Sequence, residues 1–426
     1  MPHGYKLLFI AAAFPAAAGA QVDRYGRDIG DDRLLPASMT AEATTDARTF
    51  AARSLDRGAF TLLPYVATRT GSWPDAVAIG DVTHDRRADV VLSTSFYFDP
   101  VNDYNVFVFP QRPFNGTLGT PTQIPFGQQA TRTGLALGDF DGHDGLDVAV
   151  GGNSGVSILS ATNAPPWLSL GSVVQTQSAM AVGALDLQGD GKTDLVSVSW
   201  GTGGNTYLNN GYGQFTPANW NVAVAGWNSL AVGDLDGDGV DDVAVASGTG
   251  AMPNVRLQRN NGNGTLTQFG ALDGECGGWQ AKGIGIGIGD LDGDKHNDIV
   301  VSAGGNGSSA CLLVYRGDGN GQFASPLRLA SYDIPETLAV ADINLDGRKD
   351  VTVVHGGWMR VGVYLQQADG TLAPEMLFPI PYASHYGSQG LAVGDFTGDS
   401  CPDVAIADYN NGLVTLANGM WCPRKL

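Results

Sequence analysis

One nine-residue pattern recurs seven times along the chain and limits what it can fold into. It reads DVTHDRRAD at 81–89, DFDGHDGLD at 139–147, DLQGDGKTD at 186–194, DLDGDGVDD at 234–242, DLDGDKHND at 290–298, DINLDGRKD at 342–350 and DFTGDSCPD at 395–403. Successive copies start 47 to 58 residues apart. A period of that size means an array of small supersecondary units, each too small to bury its apolar face alone.

Around each copy the pattern is that of strands. A short alternating run such as LAVG precedes Asp234, a β-branched run such as DVAVAS follows Asp241, and a Gly/Asn hairpin such as LQRNNGNGTL comes about twenty residues later. Each unit thus supplies four short antiparallel strands, the arithmetic of a propeller blade, whereas a strand solenoid needs shorter repeats. The fold class is therefore all-β, a seven-bladed β-propeller of four-stranded antiparallel blades over residues 58–426. The last unit stops after its third strand, and an orphan strand, RGAFTLLPYVA at 57–67, precedes the first loop. That N-terminal strand is expected to complete the last blade and remove an open edge.

Aspartate fills positions 1 and 9 of all seven copies and position 5 of six. Oxygens at alternate positions of a tightly turning loop converge on one point, the donor set a hard cation such as Ca2+ requires, with the position 7 carbonyl added. The candidate ligands are Asp81, Asp85 and Asp89; Asp139, Asp141 and Asp147; Asp186, Gln188, Asp190, Lys192 and Asp194; Asp234, Asp236, Asp238, Val240 and Asp242. The remaining loops offer Asp290, Asp292, Asp294, His296 and Asp298; Asp342, Asn344, Asp346, Arg348 and Asp350; Asp395, Thr397, Asp399, Cys401 and Asp403. The loops at Asp234, Asp290 and Asp342 are the best formed. Arg86, Arg87 and a lack of glycine weaken the first loop, His143 at position 5 weakens the second, and Pro402 makes the last intermediate. Up to seven ions are expected, with fewer bound. An EF-hand is a poor fit, because no Glu stands at position 12 and a strand follows at once. Seven acidic turns without metal are the bland alternative.

Strand, DxDGDGxxD loop and strand, repeated seven times, resembles the FG-GAP/VCBS repeat family, whose propellers include integrin α heads and some fungal lectins. The resemblance implies the propeller and calcium and says little of function, since one fold hosts many. The chain lacks the legs and membrane span of integrins and the repeated ligand pocket expected of the lectins.

The net charge of −19 argues against nucleic acid as a partner. Its origin is local, since 23 of the 43 acidic residues occupy loop positions 1, 3, 5 and 9. Lys6, the apolar run Leu7 to Ala18 and the small residues Ala18, Gly19 and Ala20 read as a signal peptide over 1–20, followed by a partly disordered linker over 21–57. With no other long apolar run, the mature chain is expected to be a secreted or periplasmic monomer without a membrane span. In the propeller frame Cys276 and Cys311 both fall near the top of the fifth blade. Cys401 and Cys422 fall at the bottom of the seventh, so the pairings expected are Cys276–Cys311 and Cys401–Cys422.

With the acidic loops at the bottom, the top face collects aromatic residues: Trp73, Phe96, Tyr97, Tyr104, Trp200, Trp227, Trp279, Tyr332, Trp358, Tyr382, Tyr386 and Tyr409. Such rings suit a sugar or an extended peptide, though packing between blades accounts for any one equally well. The ligand-binding candidates are Trp227, Trp279, Trp358, Arg360, Tyr382, His385 and Tyr386, with His355, Trp358 and Arg360 expected to face Tyr382, His385 and Tyr386. The leading functional reading is recognition of an extracellular glycan or protein. The alternatives are a polysaccharide lyase or hydrolase using His355, His385 and Tyr386, and a structural scaffold.

Overall fold

The computed structural model describes residues 59–422, apart from 114–115, 144, 200–202, 221–227, 248–254, 277–278, 281–284 and 304–309. The expected leader and linker lie outside the described residues, as do Trp200, Trp227 and the side chain of Trp279.

Seven four-stranded antiparallel sheets form the blades, and no helix occurs among the described residues. Blade four shows the plan. Its strands are Asn228–Gly233, Asp242–Ser247, Val255–Asn260 and Leu266–Leu272, and the acidic loop joins the first two. First strands follow one another around the axis, from blade one (Pro74–Gly80) to blade seven (Leu391–Gly394), which packs back on blade one. The second strand is buried along its whole length in every blade, in keeping with its near-continuous run of apolar and small residues. Fourth strands are largely exposed, as in Leu168–Gln175.

Apolar side chains of adjacent blades interdigitate to make the core. Val77, Leu92 and Phe109 of blade one meet Phe396, Ala405 and Leu413 of blade seven, and Val182, Leu195 and Tyr207 of blade three meet Phe140, Ala149 and Ile158 of blade two. Each buried Val, Leu, Ile or Phe among them contributes roughly 1.5–3 kcal/mol of burial. Small residues on the first strands allow the close approach. A Cβ on Gly183 would sit 2.8 Å from Val232 and 2.9 Å from Leu230 of the next blade.

The chain closes on itself as expected. Val66–Thr68 pairs antiparallel with the third strand of blade seven, Gly412–Leu416, and Leu62 bridges Asn418. The regular strand is shorter and later than 57–67, because Pro64 has no N–H for the ladder and splits the segment. Both expected disulfides are present, Cys276–Cys311 with Cα atoms 5.9 Å apart and Cys401–Cys422 at 5.5 Å.

A single amide spans the axis. Gln389, in the loop entering blade seven, accepts the N–H groups of Leu135 and Val182 at 3.1 and 3.0 Å on Oε1. Its Nε2 donates to the carbonyls of the same two residues at 3.1 and 2.9 Å. The side chain thus behaves as a peptide unit inserted between the inner edges of blades two and three, while its own carbonyl accepts Val77 N–H of blade one.

Candidate metal loops and the opposite face

All seven loops share one construction. Position 9 is buried, and one of its oxygens accepts the N–H of position 2: Val82 to Asp89, Phe140 to Asp147, Leu187 to Asp194, Leu235 to Asp242, Leu291 to Asp298, Ile343 to Asp350 and Phe396 to Asp403. The other accepts an N–H at or just past the end of the third strand, from Gln111, Ala161, Asn209, Asn260, Gly317, Gln366 and Asn418 in turn. Position 2 is apolar and buried in every copy, so each loop is anchored on both sides of the buried carboxylate. Position 1 gathers the N–H groups of the turn. In the third loop Asp186 accepts those of Gln188, Gly189 and Gly191.

Positions 4 and 6 explain the glycines. They take positive φ at Gly237 and Gly239, and equally at His84 and Arg86 in the loop without glycine, at Lys295, at Leu345 and at Ser400. The first loop therefore keeps the common backbone despite its sequence.

The position 9 carboxylates are perturbed. Burial pushes Asp89, Asp242, Asp298 and Asp350 up to about 6 and Asp403 to about 7, against the lowering effect of the N–H bonds they accept. Burial likewise raises Asp147 and Asp194. An added positive charge is what such a buried anion lacks.

Three loops bring carboxylate oxygens within 4.8 Å of one another: Asp139, Asp141 and Asp147; Asp234, Asp236 and Asp242; and Asp290, Asp292 and Asp294. These acidic clusters could hold a metal. In three other loops a cation at position 7 bonds the position 5 carboxylate: Arg87 to Asp85, Lys192 to Asp190 at 2.6 Å, and Arg348 to Asp346. In the seventh, position 7 is Cys401, held by its disulfide. The Arg316-Gly317-Asp318 tripeptide is a fold element here, with Arg316 paired to Asp292 at 3.2 Å.

A belt of amides links loop to loop, a feature the repeat pattern alone does not announce. That residue at the end of the third strand gives its N–H to its own blade and, where it is Asn or Gln, its side-chain NH2 to the loop of the blade before. Asn209 donates to Phe140 O, Asn260 to Asp186 O, Gln366 to Asp290 O, Asn418 to Ile343 O and Gln111 to Asp395 O, at 2.8 to 3.4 Å. Where that residue is Gly317 or Ala161, Asn297 donates to Asp234 O and Leu146 N–H to Asp81 O instead. The signal was present in YLNNG, LQRNNG and VYLQQ, hidden within hairpin composition.

On the opposite face the expected histidine cluster divides. His355 is fully buried, with Nε2 2.8 Å from Glu375 and Nδ1 2.6 Å from Asp333 O. His385 lies 2.8 Å from Glu336, whose second oxygen accepts Tyr386 N–H. Each histidine is thus taken by its own carboxylate. Tyr386 is buried, and burial beside Asp408 and Glu336 holds its phenol well above the usual range, which does not suit a base at neutral pH. Arg360 donates to Met359 O, and the carbonyl of half-buried Tyr382 accepts Asn411.

Exposed rings gather at two places on this face. The loop between the second and third strands of blade one carries Phe96, Tyr97 and Phe98, 38, 37 and 82% exposed. Tyr97 leans on Trp73 at 4.6 Å, and Trp73 stacks on Tyr409 of blade seven at 4.4 Å. Buried Asp103 shapes the loop by accepting Ser72 Oγ and the N–H groups of Tyr97 and Asp99. On blade six, Tyr332 and Trp358 meet edge-on at 6.3 Å, 41 and 43% exposed, above buried His355. Blade seven lies between the two groups.

Residues 186–245, 234–301 and 290–353 match the model of the FG-GAP-like repeat. No curated protein matches the chain. A solved structure, described as the basis of specific recognition of non-reducing terminal N-acetylglucosamine by an Agrocybe aegerita lectin, is similar at 19% identity and a TM-score of 0.53. The alignment covers 83% of this chain and 88% of that one, a likeness of fold.

Proposed function

For a seven-bladed propeller carrying FG-GAP-like repeats, we propose an exported, calcium-stabilised recognition protein that binds an extracellular carbohydrate through the face opposite its acidic loops. The observation that carries this reading is the ring platform of Phe96, Tyr97 and Phe98 backed by the Trp73–Tyr409 stack. Exposed aromatic faces bordered by polar groups, here Asp99 and Asn102, suit the apolar faces and hydroxyls of sugar rings. Tyr332 and Trp358 supply a second contact for a longer glycan. The lectin with the similar fold lends support to this ligand class.

Calcium fits the donor chemistry of the loops, which is all oxygen and mostly anionic. When bound, the ion neutralises the converging carboxylates and rigidifies the bottom rim. Asp139, Asp141 and Asp147 would hold it in one loop, Asp234, Asp236 and Asp242 in a second, and Asp290, Asp292 and Asp294 in a third. Export through residues 1–20 accords with two disulfides. No helix among the described residues is long and apolar enough to cross a membrane.

A glycan array probed with the calcium-loaded protein tests the reading. Binding is expected and should fall at least about tenfold in Tyr97→Ala and in Trp358→Ala, a loss of about 1.4 kcal/mol or more. Binding that survives both substitutions, or none to any glycan, refutes it.

A further inference from the structure

We propose that the carbohydrate taken by the face opposite the acidic loops is a cationic one, an amino sugar whose nitrogen is a free ammonium, and that the loop over 95–104 holds this ammonium between its rings and Asp99. The inference rests on the carbohydrate reading above and narrows it to one ligand class.

The loop joins the second strand of blade one, Asp89–Thr94, to the third, Asn105–Phe109, through ten residues. The same joint takes two residues in blade two and seven in blades four and five, with the other blades in between. An irregular connection of unusual length in a compact fold commonly serves binding. Phe98, the most exposed large apolar side chain among the described residues, takes φ 58°, and Tyr104 takes φ 60°. The left-handed region suits glycine and penalises any residue with a Cβ, so the loop holds an aromatic ring in water at a place where glycine would sit without strain. The Phe98 ring meets Phe96, itself exposed, with centroids 4.5 Å apart and planes at 60°, which makes two adjacent walls open to solvent. A ligand laid against those walls offsets both costs.

Charge selects the ligand. The loop carries Asp99 and Asp103 and no cationic residue. Acids elsewhere meet cations of the chain: the bottom rim has Arg87, Lys192, Arg259, Arg316 and Arg348 on its carboxylates, and buried Asp75 has Arg132. Asp99 and Asp103 are bonded by neutral donors only. Asp103 is buried and fully occupied by the Ser72 hydroxyl and the N–H groups of Tyr97 and Asp99. Half-buried Asp99 follows Phe98 directly. Its Oδ1 accepts the N–H groups of Val101 and Asn102 at 3.1 and 3.3 Å, whereas its Oδ2 accepts the Asn102 amide alone, at 2.7 Å. A carboxylate oxygen takes about two donors, so Oδ2 keeps a place for one more. An ammonium there gains the charge of Asp99 and the negative faces of the rings together. An N-acetyl group at the same point forfeits the charge, and a uronate or sulfate meets two like charges.

Titration calorimetry on the full protein in excess calcium, at about pH 5.5 so that sugar amines are protonated, tests this with three probes. They are a glucosamine tetramer, the same tetramer fully N-acetylated, and a galacturonic acid tetramer. The glucosamine tetramer should bind at least about tenfold more tightly than the acetylated one, and the galacturonate should not bind. High salt should shrink that preference in the wild type. In Asp99→Asn the amide oxygen still accepts the loop N–H groups and Asn102 can turn its own amide to match, so the variant should melt with wild type and bind the first two tetramers alike. Phe98→Ala should weaken the glucosamine tetramer about tenfold. A glucosamine tetramer that fails to bind or binds no better than the acetylated one, a preference indifferent to salt, or one that survives Asp99→Asn overturns the inference. Tight binding of a neutral glycan without the preference leaves the carbohydrate reading standing alone, whereas binding of no glycan removes both.

Discussion

Replacing Gln389 with leucine keeps the volume of the side chain across the axis and deletes its four hydrogen bonds. A protein hydrogen bond contributes a net 0.5–1.5 kcal/mol or so, and an apolar cap that leaves its partners unpaired forfeits more, so four bonds amount to about 4 kcal/mol. Unfolding entropy near 60 °C is about 2.1 cal/mol/K per residue, or about 0.76 kcal/mol/K for a propeller of roughly 360 residues. The Leu variant should therefore melt about 5 °C below wild type. Gln389→Ala makes room for water to pair with the N–H and carbonyl groups of Leu135 and Val182, and its loss should be about half as large. The assay is calorimetry at fixed scan rate with calcium in excess, so that loop occupancy stays constant. A Leu variant within about 1 °C of wild type, or an Ala variant worse than Leu, refutes the reasoning.

Two further outcomes follow from the loops. Lys295 is exposed with φ 74°, a conformation that costs a side-chain-bearing residue about 1–2 kcal/mol, so Lys295→Gly should raise the melting temperature by about 1–3 °C; an unchanged or lower melt would show that no strain resides there. The second concerns pH in chelator. Buried Asp89, Asp242, Asp298, Asp350 and Asp403 hold protons up to about pH 6 to 7, whereas unfolded Asp loses them near pH 4. Their neutral form therefore contributes stability fully below about pH 4, and this is lost as pH rises through about 6 to 7. Calcium needs the ionised form, so the rise in melting temperature on adding calcium should grow between pH 5.5 and pH 8; a rise of equal size at both pH values would count against these carboxylates as ligands.

Repetition made much of the fold legible. Seven copies of Asp at positions 1 and 9 marked the joints between first and second strands, and the frame they set placed all four cysteines in their pairs. What occurs once carried no such signal. No other unit has glutamine six residues before its acidic loop, and nothing in the neighbours of Gln389 shows that it spans the axis. His355 and His385 read as a pair because both lie near blade six, but Glu375 and Glu336, 20 and 49 residues away, claim them separately. In the loops, glycine proved a weaker guide than backbone, since His84 and Arg86 adopt the conformation their sister loops assign to glycine. The three loops whose carboxylates converge are those with Asp at position 3, Asp141, Asp236 and Asp292, a difference the sequence already displays.

The amide belt has a direction, because every donor belongs to a later blade and every acceptor to the loop before it. Laid out as an open row, the same seven units would expose an uncapped loop at one end and an idle donor at the other. Such a row is head-to-tail, and its two ends would invite further copies without limit. Gln111 of blade one donating to Asp395 O of blade seven cancels both ends at once, so the number of blades is also the number at which polymerisation stops.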